Sequence, residues 1–268
     1  MTETASPEPV VETTRDAFLG GRVHVYQPAK GRHRAGLDAV YLAAALPDDT
    51  TGHVVDLGAG VGTAGYCAAS RLENISVSLV DIDPVVLNLA RHGLSDPENA
   101  SFAGRIKILE ADITAKGNIR HSSGLTPNLA DHVIMNPPYY EADRFRASPK
   151  TDKVGAHMLD ERGLDPWAKT ATDIVRDGGS LTMIFRADGL QDVLQVLSKR
   201  FGAIDILPMH PRPGAPATRI LLRAIRASKA PLQLLPGLVL HTSEGSEFKE
   251  DARAVMRDGA GLGLKSRR

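Results

Sequence analysis

The stretch Asp56-Leu57-Gly58-Ala59-Gly60-Val61-Gly62 decides how the rest of the chain reads. Val54 and Val55 before it are buried-strand residues, and Ala64 to Leu72 after it has helical composition. It therefore reads as a strand that ends in a glycine turn and opens a helix. Glycines at alternate positions let the backbone turn sharply and approach a ligand where a Cβ would collide. Such a loop usually points to a dinucleotide, and alone it is a weak signal. Asp56 pulls the reading elsewhere, because a carboxylate at the strand's end repels a pyrophosphate but can hold an ammonium. Next, Ser76-Val77-Ser78-Leu79-Val80-Asp81 reads as a second strand ending in an acid, placed to hydrogen-bond ribose hydroxyls. Together they suit a ligand with an amine and a ribose but no phosphate.

Working outward, strand and helix patterns alternate from His53 onward, and a parallel sheet is the natural outcome. Strands are expected near 53–57, 75–81, 105–110, 131–135 and 179–186, with helices near 62–72, 84–94, 166–177 and 189–201. Pro84 suits the first turn of its helix. Two β-rich runs follow, Ala203 to Met209 and Arg219 to Ile225, separated by a proline-glycine segment. Upstream, Arg22 to Gln27 alternates like a short strand, and Lys30 to Gly36 is a basic turn before a helix that Asp38 can cap. Residues 1–16 mix Pro, Glu, Thr and Ser and are expected to be a disordered tail. Ser246 to Asp258 forms a late helix in this reading, and Gly259 to Arg268 looks frayed.

The 268 residues make one sizeable domain, here 17–268, whose segment 17–48 precedes the first core strand. Thirty-two Lys and Arg balance 32 Asp and Glu, so composition gives no support for nucleic-acid binding, and an RNA site must be a local patch. The single cysteine, Cys67, excludes an internal disulfide and a cysteine metal cluster and reads as a packed thiol. The histidines show no metal-ligand spacing, so no metal is expected. Trp167, at the start of a helix, reads as core. The apolar run Val40 to Leu46 is far too short to span a bilayer. Met1-Thr2-Glu3-Thr4 does not look like a secretory signal, so a cytoplasmic protein without a membrane partner is expected.

A further stretch, Asn136-Pro137-Pro138-Tyr139, follows the strand Asp131 to Met135. With it, the chain resembles the class I S-adenosylmethionine-dependent methyltransferases, and the tetrapeptide is similar to the signature of those that methylate adenine N6 or a glutamine amide. More narrowly, the chain looks like the bacterial tRNA(Val) adenine-N6 methyltransferase family. That likeness rests on Asp16 to Arg22, Gln27-Pro28, Arg34 to Val40, His210 to Gly214 and Ala217-Thr218-Arg219. The resemblance implies a Rossmann-like fold with helices on both faces. Its mostly parallel, seven-stranded sheet closes with a C-terminal antiparallel hairpin. It also implies S-adenosylmethionine as cofactor and tRNA as partner, with an adenine 3′ of the anticodon as target.

Carried over by motif, Asp56, Gly58, Gly60 and Gly62 hold the methionine end, and Asp81 bridges the ribose hydroxyls. Ile82 lies against the adenine, Asp112 accepts from its amine, and Ile113 neighbours that contact. The segment before the first core strand acts as a lid in this superfamily, which makes Arg34 and Asp38 candidate contacts. A single Asp at a strand end is commonly a loop cap. Three acids at one sheet edge, where open α/β sheets bind ligands, are harder to explain that way.

Catalysis falls to the tetrapeptide. An adenine amine is a poor nucleophile because its lone pair is shared with the ring. The Asn136 side-chain oxygen and the Pro137 carbonyl can accept both N–H groups, favouring a pyramidal nitrogen. Pro137 and Pro138 stiffen the segment and remove competing donors, and Tyr139 offers a stacking face. As a plain turn the tetrapeptide would mean nothing; its place on the same edge as the three acids favours catalysis. The polar segment 139–163 borders the substrate mouth, with Tyr140, Arg144 and Arg146 as candidate substrate contacts. Two other functions compete: a release-factor-type glutamine N5-methyltransferase, and a non-catalytic RNA- or nucleotide-binding protein on the same fold.

Overall fold

The computed structural model describes residues 12–30, 34–138 and 163–264. The described residues begin with a hairpin of β1 (Thr13–Phe18) and β2 (Val23–Pro28), then helix α1 (Leu37–Ala44). Strand and helix then alternate: β3 (Gly52–Leu57), α2 (Thr63–Arg71), β4 (Ile75–Asp81), α3 (Pro84–Leu94), α4 (Ala100–Ala103), β5 (Ile106–Glu110), α5 (Gly117–Ser122) and β6 (Ala130–Met135). The remainder comprises α6 (Asp165–Ile174), β7 (Val175–Arg186), α7 (Leu190–Leu197), β8 (Phe201–His210), β9 (Arg219–Arg226), β10 (Gln233–Leu234), β11 (Leu238–Val239) and α8 (Glu250–Asp258).

Seven long strands form one sheet in the order β8-β9-β7-β6-β3-β4-β5. The two-residue strands β10 and β11 both pair with β8, so the sheet has nine strands where seven were expected. Only β9 runs against its long neighbours, pairing antiparallel with β7 and β8. That is the expected closing hairpin. The chain steps from β3 through β4 to β5 in one direction, then returns to place β6 on the other side of β3. The switch point therefore lies between β3 and β6, and open α/β sheets hold ligands in the crevice at such a point.

Both faces of the sheet are covered. Val54, Leu79, Ile134 and Ile184 pack with residues of α1 and α2, whereas Val55, Leu57, Val133 and Leu181 pack with α6 and α7. Burial on both faces explains why these strands read as apolar runs rather than as strict alternation. Cys67 lies in the first of these cores, and burial pushes its thiol up to about 12. Pro84 opens α3 as expected, and Asp83 caps it by accepting from the Val85 N–H at 2.9 Å.

Several elements depart from the sequence reading. Thr13–Phe18, of which Thr13 to Asp16 were placed in a disordered tail, is a strand paired with Val23–Pro28. Its anchor is distant in sequence: Arg15 donates twice to Asp96, at 2.7 and 3.0 Å, and Tyr26 donates to the same carboxylate at 3.1 Å. Asn99, fully buried, accepts from the His24 N–H and donates to the His24 carbonyl. The hairpin is thus fastened to α3 and the turn after it. Helix α6 ends at Ile174, and β7 starts at Val175 rather than near 179. Asp38 sits in the first turn of α1 without capping it; Gly36 is the N-cap residue, and it has no side chain to donate to. The C-terminal glycines are tied down as well. The Gly259 carbonyl accepts from Arg71, and the Leu262 N–H donates to the Ala44 carbonyl. No helix among the described residues is long and apolar enough to cross a membrane.

Candidate active site

Strand register brings the motif residues to one edge. Leu57 pairs with Val80 on one side and with Met135 on the other, while Asp81 pairs with Glu110. The residues that follow these positions, Gly58, Ile82, Asp112 and Asn136, therefore all leave the sheet at its C-terminal edge. The glycine loop and Asn136 flank the switch-point crevice between β3 and β6.

The loop is held by backbone bonds. The Gly58 and Ala59 N–H groups both donate to the Val80 carbonyl at 2.9 Å, and the Gly60 N–H donates to Asp81 Oδ2 at 2.8 Å. Gly58, Gly60 and Gly62 take φ values of 70°, 56° and 87°, in the left-handed region that favours glycine. At Gly58 the need is also steric, because a Cβ there would lie 2.5 Å from Cη2 of Trp167. At Gly60 a Cβ would meet nothing within 4 Å, so open space adjoins the backbone there.

The acids behave differently from one another. Asp56 is 2% exposed and accepts from the Gly65 N–H at 2.9 Å, which satisfies one of the donors orphaned at the start of α2. Burial pushes its carboxyl up to about 7, the Gly65 bond opposes this, and the neighbouring Asp81 charge adds to it. A cation beside Asp56 would offset that burial. Asp81 accepts from Gly60 through Oδ2 and from the Asp83 N–H through Oδ1 at 3.0 Å. Asp81 thereby ties the glycine loop to the turn that leads into α3. Asp112 is the loop cap that a lone strand-end acid commonly becomes: its Oδ1 accepts from the Thr114 N–H and hydroxyl, both at 2.7 Å.

The remaining candidates divide. Ile82 is 39% exposed, an apolar side chain left open at the edge. The Ile113 side chain is buried in the core beneath α6, so only its backbone faces the loop, and its carbonyl accepts from Thr170. Arg34 does not stand alone at the edge; it donates to Asp16 Oδ2 at 2.6 Å and to the Pro28 carbonyl, bracing the β1–β2 hairpin. Asp38 accepts from Arg219 Nε at 3.0 Å, which joins α1 to the start of β9. Both are thereby part of the frame, and that pair links two of the blocks on which the narrow resemblance rests. Asn136 and Pro138 are half-buried and Pro137 is buried. Tyr139, Tyr140, Arg144 and Arg146 lie outside the described residues. Sequence reasoning missed Gly65, Trp167 and Thr170 as supports of the edge, and no local signal marks them. Among the described residues no group of His, Cys, Asp or Glu is arranged to hold a metal ion.

A doubly wound sheet with this loop and this acid-lined edge has the class I S-adenosylmethionine-dependent methyltransferase fold. The family model of the methyltransferase small domain matches residues 35–210, and the chain belongs to that family. It is 28% identical over 161 residues to a protein of Shewanella amazonensis named tRNA1(Val) (adenine(37)-N6)-methyltransferase. The match covers 60% of this chain and 64% of that protein, just under two thirds of its length. A crystal structure from Agrobacterium tumefaciens, titled a predicted O-methyltransferase, is 34% identical with a TM-score of 0.72, covering 84% of this chain and 98% of that one. A T. thermophilus 16S rRNA N2 G1207 methyltransferase, in complex with AdoMet and guanosine, shares the fold at 20% identity and a TM-score of 0.56. That match covers 84% of this chain and 53% of the other. The protein is thus a methyltransferase. The edge fits S-adenosylmethionine: a buried acid with no cation against it among the described residues, a second acid beside the glycine loop, and an exposed Ile82.

Proposed function

We propose that the protein methylates the exocyclic N6 of an adenine in tRNA, with an unpaired adenine of the tRNA(Val) anticodon loop as target. The observation that carries this reading is the position of Asn136-Pro137 directly after Met135, opposite Leu57 and so beside the glycine loop. When bound, S-adenosylmethionine supplies an electrophilic methyl on sulfur. Asn136 Oδ1 and the Pro137 carbonyl accept the two N6 hydrogens, expose the nitrogen lone pair and aim it at the crevice. Pro137 has no N–H to compete for the base, and its burial fixes the carbonyl's direction.

On the cofactor side, Asp81 takes the ribose diol and Ile82 the adenine face. Asp112 receives the adenine amine through Oδ2, since Oδ1 is engaged by Thr114. Asp56 and the three glycines form the methionine end. On the substrate side, Tyr139 stacks on the target base and Tyr140, Arg144 and Arg146 contact the RNA. An anticodon-loop adenine is already unpaired, which lowers the cost of a few kcal/mol for flipping a base. A tRNA substrate places the enzyme in the cytoplasm.

A second reading has a specific observation behind it. The same two acceptors would serve a glutamine amide, whose nitrogen also carries two hydrogens. The test is incubation with methyl-labelled cofactor, giving bulk tRNA and a release factor in parallel, then digestion of labelled RNA to nucleosides. Label in N6-methyladenosine supports the proposal. Label in the protein alone, on another base, or on a ribose oxygen refutes it.

A further inference from the structure

Helix α6 touches the cofactor edge at two points to which the reaction itself assigns no role. Trp167, 3% exposed, lies against the glycine loop, where a Cβ on Gly58 would stand 2.5 Å from Cη2 and 2.8 Å from Cζ3. One turn further on, the fully buried Thr170 donates its hydroxyl to the Ile113 carbonyl at 2.6 Å. Residues three apart share a helix face, so one face of α6 supports both the loop after β3 and the loop after β5. Between those loops stands Asp81 at the end of β4, and it is itself bonded to Gly60.

The chemistry at each contact argues for position rather than mere filling. Valine has nearly the shape of threonine and would suit an apolar core, yet it would leave the Ile113 carbonyl unpaired. Trp167 Nε1 has no hydrogen-bond partner among the described residues, so the indole is placed by packing and follows the backbone it packs on. Gly58, in turn, hangs from Val80 on one side and rests on the indole on the other.

We propose that Trp167 and Thr170 are positioning residues, and that α6 is a brace setting the height of the glycine loop and the Ile113 loop and so the affinity for S-adenosylmethionine. The proposal rests on the methyltransferase assignment and is independent of the tRNA reading, because its test uses no methyl acceptor.

Trp167 is the chain's one tryptophan, so tryptophan emission from the full-length protein comes from one site, packed against the glycine loop. S-adenosylhomocysteine serves as the probe because it binds without turnover. Its addition should change the emission and saturate with the dissociation constant that calorimetry gives. Thr170→Val should weaken binding roughly 3- to 10-fold, the span of one neutral hydrogen bond, and Thr170→Ser should restore it. A part in stability alone would lower the melting temperature and leave the affinity of the folded protein unchanged. Wild-type affinity in Thr170→Val, or unchanged emission at calorimetric saturation, overturns the proposal. If Thr170→Val does not fold, the wild-type emission and the affinity of Trp167→Phe decide: weakened binding supports the brace, and unchanged binding overturns it.

Discussion

Replacing Asp56 by asparagine should remove a pH dependence from the protein's stability. The carboxyl is 2% exposed, and burial raises it from 3.8 to about 7 despite the Gly65 bond. Between those values the unfolded chain carries a charged Asp56 while the folded one holds the proton. Folding therefore takes up a proton in that window. The contribution is complete below the unfolded value, is lost as pH rises to the folded value, and is constant beyond. Each pH unit in the window is worth about 1.4 kcal/mol, so from pH 5 to pH 8 the wild type should lose about 2–3 kcal/mol through this group. Asparagine keeps an acceptor for Gly65 and cannot titrate. The assay is urea unfolding of both proteins, without cofactor, at pH 5 and pH 8. Other titrating groups are common to both and cancel in the difference. The gap between wild type and Asp56→Asn should move by about 2–3 kcal/mol in favour of the variant on going to pH 8. A gap unchanged between the two pH values would refute the argument that this acid is buried without a charge to offset it.

Other outcomes follow from the same edge. Asp81→Ala should weaken S-adenosylmethionine binding by about 1.5–3 kcal/mol, the range for a hydrogen bond to a charged group, as read by calorimetry on folded protein; unchanged affinity would remove the ribose assignment. Gly58→Ala forces a left-handed residue and a 2.5 Å approach to Trp167. It should cost about 1–3 kcal/mol of stability in denaturant unfolding and weaken cofactor binding; a wild-type midpoint would show that the loop yields freely. Arg144→Glu with Arg146→Glu should impair tRNA methylation and flatten its salt dependence while cofactor affinity holds. Equal loss of cofactor binding would instead show a disturbed fold.

Much of the fold was legible because the sheet's own physics is local. Apolar runs such as Val54-Val55 and Val133-Ile134-Met135, each ended by turn residues, mark strands buried on both faces. Pro84 and the glycines mark helix starts and the loop. The hairpin at Thr13–Phe18 was not legible, since its residues become a strand only by pairing with Val23–Pro28 and by the Arg15–Asp96 contact across the sequence. The C-terminal glycines looked loose for a related reason: Gly259 takes φ 65° as the left-handed end of α8, and its carbonyl is bound by the distant Arg71. At the site, the register that brings Asp81 and Asn136 beside the glycine loop was foreseeable from strand ends. The cap role of Asp112, the burial of Ile113 and the frame contacts of Arg34 and Asp38 were not, because each depends on which neighbour a side chain meets after packing.

The central claim is that Asn136 holds the reacting amine beside the bound cofactor, and one variant separates that claim from every structural alternative. Asn136→Ala should bind S-adenosylmethionine with wild-type affinity and melt near the wild-type temperature. In single turnover on tRNA with cofactor prebound, methyl transfer should fall by at least about a hundredfold, the lower range for a lost transition-state hydrogen bond. Transfer at close to the wild-type rate, with the cofactor bound equally well, would contradict the account.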